Sequence, residues 1–399
     1  MLMWNILYSL IFLSSVLFFP EDFNGTTNFN DAFWIPKEAA FISLAMVTIA
    51  SSFFLKEAKT ETFRNKWIGA ILIWAAVSFT FIFLGPLMFN NPNGTVQWNI
   101  WNFRPTLNLF LGIFLLITLV ENTDDMKRWI NISKFLCYLG AAFSVYALLQ
   151  WVGIDPVFVN NGQFIFSNGQ ATRNAFMVTT MGNKELTSNF IAIISPLCLM
   201  FKDLRFKIFY FLMFLAIFLS DSTISMAGFF GALLLYFLMT KRIKYFLAGV
   251  VLLGIVVASS CFLFPEFLSS SGRLGMWSEV LPKFFSSDIS YFGGGLGNFP
   301  ATRFKVRNLL AVSAHNEFIQ ILWEGGILSL FLVLGYLFTL TGRVLSTWIN
   351  HNSFMLICFF CGLVSFLIIS VGAFPLRIAP MALIGLLYIA GLEVMTRRV

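Results

Sequence analysis

The sequence predicts an all-α protein that crosses a membrane about a dozen times as one integral domain. Three observations carry this expectation. First, 58% of the 399 residues are hydrophobic and only 11% are charged, whereas a soluble domain is about 25% charged. Second, apolar runs recur along the whole chain at the length of roughly 20 residues that a bilayer-spanning helix needs. Third, Lys and Arg gather in alternate connections between these runs, the asymmetry that orients membrane helices. The net charge of +7 is therefore an orientation signal rather than a nucleic-acid footprint.

Taken in order, the first span is expected from about Trp4 to Phe19; it has neither a basic leader nor a small-residue cleavage site, so it reads as a span rather than a signal peptide. A loop with Glu21, Asp22 and Asp31 leads to the second span, about Ala39 to Leu55, and then to the basic cluster Lys56, Lys59, Arg64 and Lys66. The third span covers about Trp67 to Phe89. Asn90 to Arg104 is a polar loop with Trp98 and Trp101, suited to a membrane interface. The fourth span is about Pro105 to Val120 and the fifth about Trp129 to Trp151, separated by a short charged loop.

Residues 153–185 form the first long polar stretch, with Asn160-Asn161-Gly162, Arg173 and Gly182-Asn183-Lys184-Glu185. The sixth span is about Leu186 to Phe201. Spans seven and eight are a tight pair, divided by Ser220-Asp221-Ser222-Thr223 and closed by Lys241-Arg242-Ile243-Lys244. The ninth is about Tyr245 to Pro265. A second, larger polar stretch, 266–313, follows with no evident structure of its own, and loops of this length are commonly functional. The tenth span is about Ile319 to Leu340, a short loop covers Gly342 to Asn352, the eleventh span is about Phe354 to Phe374, and the twelfth about Ala379 to Val394. With the N-terminus inside, about 15 of the 26 Lys and Arg fall in short inner connections, and both long polar stretches face outward. No soluble domain, heptad pattern or internal repeat is evident. The five cysteines lie in apolar runs, and Cys358-Phe-Phe-Cys361 reads as packing.

The outer face carries the chemistry. Arg104, Arg173, Arg273, Arg303, Arg307 and Arg377 lie in or beside outer loops, where orientation disfavours them, and Arg is the residue for bidentate phosphate recognition. Arg273, Arg303 and Arg307 together point to an anionic ligand. Arg104 and Arg377 are equally compatible with interfacial anchoring. His315 is one of two histidines. With Ser313 as the expected N-cap, it falls in the first turn of the tenth helix, where the dipole disfavours the imidazolium and leaves a neutral proton acceptor. An interfacial hydrogen-bonding histidine is the alternative. Glu317, Gln320 and Glu324 recur at spacings of three and four as a polar stripe entering the membrane, which carboxylates do only toward a cavity or partner. Gly325-Gly326 permits a bend there. Gly293-Gly294-Gly295-Leu296-Gly297 has no strand–helix unit around it and reads as a tight turn, with a backbone anion nest as the lesser alternative.

As a set, Arg273-Leu-Gly-Met-Trp277, Phe292-Gly-Gly-Gly-Leu-Gly297-Asn-Phe299 and His315-Asn316-Glu317-Phe318-Ile319-Gln320 with Glu324-Gly325-Gly326 resemble the signature region of the O-antigen ligase and O-antigen polymerase superfamily. Gly182-Asn183-Lys184-Glu185-Leu186-Thr187-Ser188-Asn189, with Pro196 beyond, is similar to the family's entry into an upstream span. The chain departs at Ser220-Asp-Ser-Thr-Ile-Ser-Met226, where relatives often have Ser-Arg-Gly. The resemblance implies a type C-like membrane glycosyltransferase of the bacterial inner membrane, with about 12 helices, both termini cytoplasmic and a large periplasmic loop between spans nine and ten. It implies a glycan donor on undecaprenyl diphosphate, no metal and no other cofactor. The acceptor is lipid A–core in a ligase, or a second lipid-linked glycan in a polymerase. His315 is then the expected base, and Arg273 is expected to share the diphosphate with Arg303, Arg307 and Arg173. Trp277, Asn316, Glu317, Gln320 and Glu324 are expected to orient substrate. The ligase is favoured over the polymerase. A lipid or polysaccharide transporter is the reading from another class, disfavoured because no matching halves are visible.

Overall fold

The computed structural model describes residues 2–17, 37–49, 103–123, 125–154, 159–160, 163–164, 177, 179–181, 183–263, 273–287, 290–295, 299, 305–306, 309–310 and 313–397. These are overwhelmingly helical. In chain order they form α1 (Leu2–Val16), α2 (37–49), α3 (Phe103–Asn122), α4 (Met126–Trp151), α5 (Lys184–Ile194), α6 (Leu204–Leu219), α7 (Thr223–Met239), α8 (Ile243–Leu263), α9 (Arg273–Phe285), α10 (Glu317–His351), α11 (Phe354–Gly372) and α12 (Ala379–Arg397). Two antiparallel ladders of two residues per strand interrupt the polar stretches: β1 (Val159–Asn160) with β2 (Gln163–Phe164), and β3 (Lys305–Val306) with β4 (Leu309–Leu310). Among the described residues, α4, α10, α11 and α12 are long and apolar enough to cross a membrane. The expected third span and the loop with Trp98 and Trp101 lie outside the described residues.

The termini follow from local chemistry. Asp125, Asn183, Ser222, Asn316 and Ser353 N-cap α4, α5, α7, α10 and α11, each side chain accepting a backbone N–H of the first turn. The α5 helix yields to a 3-10 turn (Ser195–Met200) because Pro196 has no N–H to give. The Ala192 carbonyl this frees accepts instead from the hydroxyls of Ser195 at 3.0 Å and Ser365 at 3.2 Å. The neighbouring Ile193 carbonyl accepts from Tyr388 at 2.7 Å.

Two expectations are corrected. The short loop over Gly342 to Asn352 is helix: α10 runs 35 residues to His351 and stops only where Asn352 turns left-handed (φ 44°). The segment contains no strong breaker before that asparagine, so the helix continues. And the 266–313 stretch is not without structure, because α9 occupies its first half. That helix is amphipathic, burying Met276, Val280 and Phe284 against Phe299 and Trp323.

The centre of the assembly is α11, packed on α7, α12 and the 3-10 turn. Close approach is needed there: a Cβ on Gly362 would stand 2.2 Å from the Tyr388 ring, and one on Gly228 2.8 Å from Ile369, the small-residue contact typical of helices in lipid. Contacts sort the helix ends into two sets. At one end, Thr180 bonds the Ser15 carbonyl, Thr179 bonds Gln150, and Arg273 reaches Glu185 and Gly372. At the other, Trp4 meets Trp129, Trp129 meets Phe359, Trp348 bonds the Met239 carbonyl, and Arg343 and Tyr336 close on Glu393.

Candidate active site

At the first end, α5, α9, α11 and the approach to α10 bring three ionisable groups together. Arg273 begins α9. Its Nη2 donates to both oxygens of Glu185, at 2.7 and 3.0 Å, and its Nη1 to the Gly372 carbonyl at 2.7 Å. Glu185 lies in the first turn of α5, its own N–H held by the Asn183 cap at 2.7 Å. His315 completes the group. Its ring meets Phe374 edge-on at 5.1 Å, and both Arg273 and Glu185 act on its charge.

The structure changes the reason for expecting a neutral His315. Ser313 is not the N-cap; Asn316 is, accepting from the Ile319 N–H at 3.1 Å, so His315 precedes the helix instead of sitting in its first turn. Its backbone is left-handed (φ 48°), a conformation uncommon outside glycine and often found at functional sites. Its pKa is lowered, first by burial and next by Arg273, with Glu185 opposing. The turn that presents it is fixed from both sides. Trp277 Nε1 donates to the Ala314 carbonyl at 2.8 Å, and the Ala314 N–H donates to Gln320 Oε1 at 3.0 Å.

The expected polar stripe stands behind this turn. Gln320 Nε2 donates to Glu324 Oε1 at 3.0 Å, Arg377 Nη2 donates to Glu324 Oε2 at 2.7 Å, and Arg377 Nε lies 3.6 Å from Glu317. The Leu376 N–H donates to the other Glu317 oxygen at 3.3 Å. Burial works against the Arg377 charge, but Glu324 and Glu317 outweigh it and raise its pKa. Trp277 and Gln320 thus hold the backbone next to His315, Asn316 caps α10, and Glu317 and Glu324 hold Arg377 and the 3-10 turn Pro375–Arg377.

Within α10, Gly326 (φ 74°, ψ −178°) breaks the helical ladder, and the glycine run repairs it. The N–H groups of Gly294 and Gly295 donate to the carbonyls of Trp323 at 2.9 Å and Glu324 at 2.8 Å, and the Leu328 N–H donates to the Tyr291 carbonyl at 3.3 Å. The contact is so close that a Cβ on Gly293 would lie 2.3 Å from the Glu324 oxygen. These two N–H groups are committed to the kinked helix, so the tight-turn reading holds for them and the anion-nest alternative does not.

One turn below Glu185, Ser188 and Ser222 each share a 2.8 Å hydroxyl contact with Ser225, which donates to Asn189 Oδ1 at 2.6 Å. Among the described residues, the Asn189 amide nitrogen is buried without a hydrogen-bond partner. Arg173, Arg303 and Arg307 lie outside the described residues. The residue that sequence reasoning passed over is Glu185. An acid in the first turn of a helix is ordinary dipole complementation, and only the fold shows that it faces Arg273.

Fold and site together define the class: a helical chain, with helices able to cross a membrane, that carries an Arg–Glu–His cluster where its helix ends meet. Compared with known proteins, the chain matches no family model and no curated protein.

Proposed function

We propose that the chain is a membrane glycosyltransferase that moves a glycan from undecaprenyl diphosphate to a sugar hydroxyl, with lipid A–core as acceptor, as an O-antigen ligase does. The observation that carries the reading is the 2.7 Å contact between Arg273 and Glu185. It joins the two segments that separately resemble the superfamily, 182–189 and 273–326, at one place beside His315. In this reading the chain has about 12 spans in a bacterial inner membrane, both termini are cytoplasmic, and the site faces the periplasm.

The chemistry follows from the groups present. The acceptor oxygen attacks the anomeric carbon and gives its proton to the neutral His315 imidazole, general-base catalysis being worth about 10²–10⁴ in rate. The bond between the anomeric carbon and the diphosphate oxygen breaks, and the charge left on undecaprenyl diphosphate is offset by Arg273, assisted by Arg303, Arg307 and Arg173. The imidazolium then returns its proton to water. Arginine supplies the positive charge, so the proposal includes no metal.

Transfer in proteoliposomes tests this, with an undecaprenyl-diphosphate glycan as donor, with and without lipid A–core, and with EDTA. The expected result is EDTA-insensitive glycan on lipid A–core that His315→Ala abolishes and Arg273→Ala cuts to a residual rate. Laddering of the lipid-linked glycan without that acceptor makes the chain a polymerase. Absence of transfer under both conditions overturns the reading.

A further inference from the structure

We infer that Glu185 is a displaceable stand-in for the donor's diphosphate at Arg273, and that the diphosphate, on binding, releases this carboxylate to serve as the counter-charge of His315. The inference rests on the glycosyl-transfer reading of the same site and gives its resting state a function.

Four observations support it. Glu185 offers Arg273 two oxygens, at 2.7 and 3.0 Å, the same pair of acceptors that a phosphate presents to a guanidinium. The pair is reachable: the side chains of Arg273 and Glu185 are 20% and 31% exposed, and ion pairs open to water are weakly held. Arg377 differs here, because its partners Glu324 and Glu317 are 0% and 3% exposed; it is locked where Arg273 is exchangeable. The two partners are also unequal in need. Arg273 is the first residue of α9 and Glu185 lies in the first turn of α5, so each helix dipole favours an anion at its own end. Arg273 therefore requires an anion there, whereas Glu185 is stabilised without the arginine. Finally, Nη1 remains on the Gly372 carbonyl at 2.7 Å, which keeps the guanidinium aimed while Nη2 changes partner.

The exchange links donor binding to proton transfer. With Glu185 on Arg273, their charges offset each other beside His315. Once a phosphate takes the arginine, the carboxylate stands free to stabilise the imidazolium formed when His315 accepts the acceptor's hydroxyl proton. Glu185 is a positioning residue in this scheme; it makes no bond to substrate.

Inorganic pyrophosphate binding to the detergent-purified full chain is the test. Glu185→Gln, nearly isosteric and uncharged, is expected to bind pyrophosphate roughly fivefold tighter than wild type, the scale on which a partly exposed ion pair competes. Arg273→Gln is expected to lose binding in either background. Equal or weaker binding by Glu185→Gln, or no binding by any variant, overturns the inference. If Glu185→Gln does not fold, Glu185→Asp, with a shorter reach, is expected to bind more tightly than wild type, and unchanged or weaker binding overturns the inference as well. Tighter pyrophosphate binding alongside no glycan transfer by wild type supports the exchange at Arg273 and removes only the glycosyl-transfer reading. Transfer with unchanged pyrophosphate binding removes only the exchange.

Discussion

His315, the base of the proposed transfer, owes its lowered pKa to its surroundings rather than to its own helix. Burial and Arg273 push its pKa below the ordinary histidine value, and Glu185 pulls the other way. In the proposed reaction the neutral ring is the proton acceptor, so kcat/KM for transfer, which reports the free enzyme, is expected to rise with pH along a limb below the ordinary histidine range. Removing the opposing carboxylate moves that limb: the kcat/KM profile of Glu185→Gln is expected to shift to lower pH. Arg273→Gln, which removes a lowering influence, should shift its residual activity to higher pH. A limb unmoved by either substitution would mean that His315 is not the titrating base. The histidine itself was legible from the sequence; its cap was not. Ser313 and Asn316 are both good N-cap residues, and the choice falls to Asn316 while Gln320, a turn further on, takes up the Ala314 N–H.

At the scale of the element, α10 is two helical pieces joined at Gly326 and splinted by the glycine run. The sequence showed a permitted bend at Gly325-Gly326 and a tight turn near Gly293. Their union was invisible, because partners some thirty residues apart leave no periodic signal. A Cβ on Gly326 would stand 2.2 Å from the Tyr291 carbonyl, at a positive φ that other residues avoid. Gly326→Ala and Gly293→Ala are each expected to cost at least about 1–3 kcal/mol, read as a lowered unfolding temperature in detergent. The Arg377 cluster gives a second measurement on the same element. Arg377→Met leaves Glu324, fully buried, without its cation, a loss of about 3–5 kcal/mol. Adding Glu324→Gln should recover part of that loss, since the two side chains interact directly. Strictly additive effects would show that the pair contributes nothing to holding the helix against the 3-10 turn.

For the whole molecule, composition and the spacing of apolar runs made the helical class and most helix positions legible, because a bilayer dictates both length and polarity. The convergence of helix ends was accessible only through the alternation of basic loops. The contacts support that alternation: the C-termini of α1, α4 and α11 meet the N-terminus of α5, directly or through residues 179–181, and through Arg273, while the N-termini of α1, α4 and α11 gather together. The length of α10 fits it as well. Beyond the break at Gly326, the straight piece from Ile327 to His351 spans about 37 Å, more than the about 30 Å of hydrocarbon that a crossing helix needs. This arrangement predicts a labelling pattern. Val152 and Ser286 belong to the end that carries the site, whereas Asp203, Arg242 and His351 belong to the other, and all five are exposed. Cys137, Cys198, Cys358 and Cys361 are no more than 2% exposed and should stay silent toward a membrane-impermeant maleimide once Cys261 is replaced by Ser. Single cysteines at Val152 and Ser286 should then label together in sealed vesicles of one orientation. Those at Asp203, Arg242 and His351 should label only after permeabilisation, or in vesicles of the opposite orientation. A mixed pattern, with Ser286 siding with His351, would place the Arg273 cluster and the α10 C-terminus on one face and remove the two-ended arrangement on which a site at one membrane surface depends.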